Sequence, residues 1–272
     1  MELELSTRHG TVALDSRGGG SPLLLLHGNP GDRRDWEAVV PALAATHRVI
    51  RLDWPGHGAS APPLPPRAAS AMLYAEVLAD VAAALDLREA MLAGHSVGGY
   101  AALRLALEHP ARVGALVLVA PGGFTAHTWK TRAFCRIKGR EWVTRWTAGA
   151  FARRQLRRHN PTTRAMIARA EEEGRRPGQV AVDAAVWRSF VHPDHDLRGR
   201  AGTVTQPVLL VWGRHDPVLG IEGDGRNARC ALPHASWVEL ETGHAPFAED
   251  PESFLAAVRS FVAAHDAMAR PA

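Results

Sequence analysis

Gly94-His95-Ser96-Val97-Gly98 sets a serine between two glycines, directly after the apolar run Met91-Leu92-Ala93. A Gly-x-Ser-x-Gly string that follows a strand and opens a helix builds a sharp turn. The turn lifts the hydroxyl clear of its neighbours and aims the next backbone N–H at whatever the hydroxyl attacks. A Cβ at either glycine would clash where the strand folds back onto the helix. Serine alone is a weak nucleophile; it needs a base within hydrogen-bond reach and an acid to orient that base. Two late segments offer candidates. Val211-Trp212-Gly213-Arg214-His215-Asp216-Pro217 puts Asp216 just beyond an apolar strand, and Glu241-Thr242-Gly243-His244-Ala245-Pro246 puts His244 just beyond the next. Loops at the carboxyl ends of parallel strands are where open α/β sheets bind ligands.

Such a set can meet only if strands and helices alternate to build a parallel sheet. Leu3-Glu4-Leu5 and Val12-Ala13-Leu14 alternate like a hairpin of edge strands. Leu23 to Leu26 is a continuous apolar run, as expected of a strand covered on both faces. Trp36, Val39, Val40 and Leu43 recur at helical spacing, and Val49 to Leu52 read as a strand. Leu73, Val77, Leu78, Val81 and Leu85 mark a helix, Met91 to Ala93 a strand, 97–108 a helix, and Val113 to Ala120 a strand. The pattern then breaks: residues 122–200 show helical periodicity and no strand. Val208 to Trp212 and Trp237 to Leu240 restore the sheet, and 252–264 read as a closing helix. The organisation is an α/β core, 1–121 and 201–272, interrupted by an all-helical insertion at 122–200.

Four separated motifs in one order resemble the α/β-hydrolase family over nearly the whole chain. They are His27-Gly28-Asn29-Pro30-Gly31, Asp53-x-x-Gly56-x-Gly58-x-Ser60, Gly94-His95-Ser96-Val97-Gly98-Gly99, and the Asp216 and His244 segments. The order Ser96, Asp216, His244 is that of the family's triads. The resemblance implies the α/β-hydrolase fold, a mostly parallel wound sheet with an inserted all-helical cap, and a small cytoplasmic serine hydrolase. It makes Ser96 the nucleophile, His244 the base and then acid, and Asp216 the group that holds the imidazole. The oxyanion hole would be the backbone N–H groups of Asn29 and Val97. No metal or organic cofactor is required. The expected reaction is cleavage of a small carboxylic ester or thioester. Carbon–carbon bond hydrolysis of meta-cleavage diketones uses the same triad, and Arg188 could hold such a substrate's carboxylate. Proline iminopeptidase stands third, lacking an evident acidic pocket for an amine; a ligand-binding relative without turnover is a fourth reading.

Composition narrows the setting. Hydrophobic content of 46% and charged content of 22% over 272 residues fit one soluble domain. The apolar runs are too short to span a bilayer, the start is not that of a secretory signal, and no membrane partner is expected. Cys135 and Cys230 read as buried free thiols in a reducing cytoplasm. Residues 125–200 hold 17 Lys/Arg against 7 Asp/Glu, a net of +10 inside a chain of net +4. No nucleic-acid-binding pattern accompanies that charge. Arg153, Arg154, Arg157 and Arg158 fall within one helical arc of about 140°. They are either a solvated face or a docking patch for an acidic carrier protein. Trp129, Trp142, Trp146 and Trp187 lie in the insertion; the Trp142–Trp146–Ala150 stripe is either core packing or an apolar wall of the substrate pocket. His27, His95 and Asp53 read as braces of their loops. Asp224, in a glycine-rich loop, stands far behind Asp216 as the triad acid. Oligomeric state is left open.

Overall fold

The computed structural model describes residues 2–266. The chain starts with a hairpin, β1 (Glu2–Thr7) and β2 (Gly10–Arg17), and continues through β3 (Pro22–Leu26), α1 (Val40–Leu43) and β4 (Arg48–Leu52). Then come α2 (Ala71–Ala84), β5 (Ala90–His95), α3 (Val97–Glu108) and β6 (Val113–Val119). Four helices follow: α4 (Trp129–Lys138), α5 (Glu141–Gln155), α6 (Pro161–Glu173) and α7 (Pro177–Ser189). The sheet resumes with β7 (Val208–Gly213), α8 (Arg226–Ala231) and β8 (Ser236–Leu240), and α9 (Pro246–Glu249) and α10 (Pro251–Asp266) complete the described chain.

The eight strands form one sheet in the order β1-β2-β4-β3-β5-β6-β7-β8. The β1–β2 and β2–β4 pairs are antiparallel and the other five are parallel. The central strands are apolar along their length because helices cover both faces, whereas β1 alternates exposed and half-buried positions at the sheet edge. The two-residue period divides β3 between two cores. Leu24 and Leu26 pack in one with Val77, Val81 and Leu103; Leu23 and Leu25 pack in the other with Trp36, Phe254 and Val258. Burying each of these leucines contributes about 1.5–3 kcal/mol.

Two expectations need correction. The helix expected from Trp36 to Leu43 is a short 3-10 turn, Arg33–Trp36, followed by the single turn α1. Pro41 lacks the N–H that a continuous helix would use, so it sits in the first turn of α1 instead. All four apolar residues are nonetheless buried in the second core. Cys135 is buried as expected, but Cys230 is exposed, on the outer side of the short α8. Among the described residues no helix is long and apolar enough to cross a membrane.

Glu173, at the end of α6, is buried, and burial pushes its carboxyl up from 4.5 to about 9, helped by Asp183, Asp32 and Asp35 nearby. The folded chain therefore keeps a proton that the unfolded chain has already lost, and stability falls as pH rises through that window. Glu173→Gln should leave Tm unchanged near pH 4 and raise stability by several kcal/mol at pH 9. Melting curves against pH check this; a constant difference at all pH values would rule out the buried proton.

Candidate active site

Ser96 occupies the turn between β5 and α3 with φ 53° and ψ −116°, a conformation that L-residues rarely adopt. The flanking glycines are required by contact. A Cβ at Gly94 would lie 2.5 Å from the Gly98 carbonyl oxygen, and one at Gly98 would lie 2.4 Å from that of Leu26. The Ser96 N–H donates to the Val119 carbonyl at 3.0 Å, and its own carbonyl accepts from Gly122 at 2.8 Å. The end of β6 and the loop that follows it thus hold the turn.

Asp216 lies three residues past β7 and His244 four residues past β8. The His244 Nδ1 hydrogen-bonds Asp216 Oδ2 at 2.6 Å, and both side chains are buried. The other carboxylate oxygen of Asp216 accepts from the backbone N–H groups of Val218 (2.8 Å) and Leu219 (3.0 Å). One oxygen fixes the carboxylate and the other fixes the ring. Between them they assign the Nδ1 proton to the Asp216 side, so the Nε2 lone pair is the basic position.

Ser96, Val97, Asn29 and His244 line one cavity of about 400 Å³. Its apolar wall comes from Phe134 of α4, Phe151 of α5, Trp187 of α7, Phe190, Val218 and Leu219. Its polar groups include Thr125, Lys130, His195 and Asp224. Burial holds His195 down at about 3, so its ring is neutral. Neither ring nitrogen of His195 completes a hydrogen bond within the protein, and neither polar atom of the Asn29 side chain does.

The braces are of the kind the sequence suggested. His27 Nδ1 lies 2.8 Å from the Gly28 carbonyl, its Nε2 accepts from Trp54 at 3.0 Å, and burial lowers it to about 4. Asp53 accepts from the N–H groups of Arg33 (2.7 Å) and Ala59 (2.9 Å). The His95 Nε2 meets the His244 carbonyl at 2.9 Å, tying the serine turn to the histidine loop. Arg169 of α6 reaches Asp32 at 3.1 Å and Asp35 at 2.5 Å, just past the Asn29 loop.

Other candidates lie elsewhere. Of the four tryptophans between positions 122 and 200, Trp187 lines the cavity. Trp142, Trp146 and Arg188 line a separate outer depression, and Trp129 is exposed. The stripe is thus neither core nor cavity wall. The arginine arc is broken as well: α5 ends at Gln155, so Arg157 and Arg158 lie beyond it. Arg153 stands 3.6 Å from Glu171 and Arg158 2.5 Å from Asp250. Asp224, set aside as a loop residue, lines the cavity from an irregular helical turn and accepts from Thr125. Sequence reasoning missed His195, Phe190 and Glu249. The last is a buried carboxylate that accepts from the N–H groups of both neighbours of His244, Gly243 and Ala245.

A family model described as the alpha/beta hydrolase fold matches residues 21–251. The chain is 30% identical over 259 residues to a pimeloyl-[acyl-carrier protein] methyl ester esterase of Nitrosomonas europaea, covering 90% of this chain and 97% of that one. It is 35% identical over 206 residues to the dihydrolipoyllysine-residue acetyltransferase component of an acetoin cleaving system of Pseudomonas putida. That match covers 74% of this chain but only 53% of the longer relative. A solved membrane phospholipase A, described as a bacterial virulence factor, superposes with a TM-score of 0.82 at 26% identity, covering 97% of this chain and 86% of that one.

Proposed function

This chain belongs to the α/β-hydrolase fold family, and from that premise we propose that it is a serine hydrolase that cleaves a carboxylic ester or thioester through an acyl-enzyme. One observation carries the reading. A serine raised on a strained turn shares a cavity with a histidine whose far nitrogen is held by a buried aspartate at 2.6 Å. Ser96 Oγ attacks the substrate carbonyl while His244 Nε2 takes its proton. The negative oxygen of the tetrahedral intermediate rests on the N–H groups of Val97 and Asn29, each donor worth about 3–4 kcal/mol. Collapse breaks the bond to the leaving alcohol or thiol, which receives the proton from His244. Water, deprotonated by the same ring, then releases the acid and frees Ser96.

Residues 122–200 act in this reading as the cap that closes the cavity, with Phe134, Phe151 and Trp187 supplying an apolar site for the acyl or alcohol part. The esterase and phospholipase names among the relatives support an ester as substrate. The first of them adds a carrier-bound ester to the substrates worth testing. The free thiols Cys135 and Cys230 support a reducing, cytoplasmic setting.

A fluorophosphonate should label the protein with one-to-one stoichiometry at Ser96. Esters graded in acyl length should be hydrolysed with a burst of the first product. The same screen includes a carrier-bound methyl ester and a meta-cleavage diketone. Absence of labelling in natively folded protein, or turnover of the diketone alone, would overturn the ester reading.

A further inference from the structure

The described residues have six exposed large apolar side chains, and five of them fall in one stretch: Trp129, Phe134, Ile137, Trp142 and Trp146, on α4 and the start of α5. Single exposed apolar side chains are ordinary, but this concentration in one stretch, with its indoles at 62–81% accessibility, marks the surface as special. The same stretch carries five exposed cations, Lys130, Arg132, Arg136, Arg140 and Arg145, and one acid, Glu141. Glu141 is already taken by Arg67 at 2.6 Å. None of the five cations has a carboxylate within ion-pair distance among the described residues. Arg136, Arg140, Arg145, Trp142 and Trp146 surround a single depression of about 680 Å³.

We infer that this outer face of α4 and α5 docks on an anionic lipid surface. The apolar groups do not form a continuous patch; they alternate with cations along both helices. On α4, at about 100° per residue, Arg132, Arg136, Trp129, Ile137, Lys130 and Phe134 follow one another around the exposed half of the helix. The headgroup region of a bilayer accepts this mixture: indoles and aliphatic groups sink toward the acyl boundary while each cation meets a lipid phosphate. A second copy of the chain does not suit the face, because it would bring the same unpaired cations against one another. Docking of this kind needs no membrane span, so the short apolar runs that argue against a membrane partner do not bear on it.

The position of the face gives the docking a purpose, and this part rests on the ester-hydrolase reading. Lys130 and Phe134 belong to the exposed surface of α4 and also line the Ser96 cavity. A lipid-like ester could pass from the bilayer into the cavity beside one helix without crossing water.

The test uses full-length Ser96→Ala protein, so that lipids are not consumed, and co-sedimentation with vesicles. Binding to phosphatidylglycerol–phosphatidylcholine vesicles is expected at low salt, with much weaker binding to phosphatidylcholine alone. The exposed double variant Trp142→Ala/Trp146→Ala should bind at least about tenfold more weakly. Removing Arg136 or Arg145 should cost about fivefold each. Absence of sedimentation with anionic vesicles at low salt would overturn the inference. So would binding that ignores these substitutions, or capture of an acidic acyl carrier protein in place of vesicles. Because binding is read without turnover, a wild-type protein that docks but hydrolyses no ester would sink the enzymatic proposal and leave the docking face standing.

Discussion

Ser96→Ala is expected to remove ester turnover almost entirely, lowering kcat by about a million-fold, the scale seen when the nucleophile of a triad is deleted. The fold should not notice. Alanine keeps the Cβ, and with it the strain at φ 53° and ψ −116°, so Tm should stay within a degree or two of the parent. Ser96→Gly separates chemistry from strain. It is equally inactive, but glycine accepts this backbone region, releasing about 1–3 kcal/mol of local strain. Glycine's greater freedom in the unfolded chain takes back about 0.5–1 kcal/mol. The glycine variant should therefore be more stable than the alanine variant by about 1 kcal/mol. Two measurements decide: kcat/KM on the best ester from the screen, and thermal unfolding of all three proteins. An alanine variant retaining a hundredth of the activity would show that Ser96 is not the nucleophile. A glycine variant less stable than alanine would show that the turn stores no strain.

The parts of this protein legible in sequence are those whose cause is local. Leu23 to Leu26 read as a doubly covered strand because a run without alternation leaves no face for water. The Ser96 turn is legible because it follows an apolar strand and its flanking glycines stand where a Cβ would strike backbone. Asp216 and His244 stand out as candidates by their place at strand ends, and the fold brings them to within 2.6 Å of each other. What could not be read depends on where an element points or what distant groups it meets. The spacing of Trp142 and Trp146 puts them on one side of a helix but does not say which side meets the cavity; they face outward. Arg157 and Arg158 looked continuous with α5, yet Leu156 is already extended at φ −107° and ψ 124°. The Gln155 carbonyl is met by the N–H of His244, 89 positions further on, at 2.8 Å. A helix whose last turn is occupied by a distant loop ends without any local signal. His195 and Phe190 carry no local signal for the same reason: only the path between α7 and β7 brings them to the cavity.

That junction between α5 and the histidine loop is organised by Glu249, whose replacement should give the largest loss of stability among single changes near the site. Its Oε2 accepts from the N–H groups of Arg157 (2.8 Å), Gly243 (2.9 Å) and Arg158 (3.0 Å), and its Oε1 from that of Ala245 (3.1 Å). One buried carboxylate therefore ties the segment just after α5 to the residues on both sides of His244. Glu249→Ala leaves four donors without their acceptor, each costing about 1–3 kcal/mol where water cannot enter. With partial hydration the total should be about 3–5 kcal/mol. Glu249→Gln preserves the shape but turns an N–H₂ toward donors, and should cost about half as much. The glutamine variant, assayed below its melting range, separates a positioning role of Glu249 from a purely structural one. The expected result is a kcat reduced at least tenfold with KM nearly unchanged, and a fluorophosphonate labelling rate that falls in parallel, because both steps need His244 in line with Ser96. Glu249→Asp, which keeps the acceptor on a shorter stem, should recover part of both. A glutamine variant that melts early yet turns over at the parental rate per folded molecule would reduce Glu249 to a structural staple.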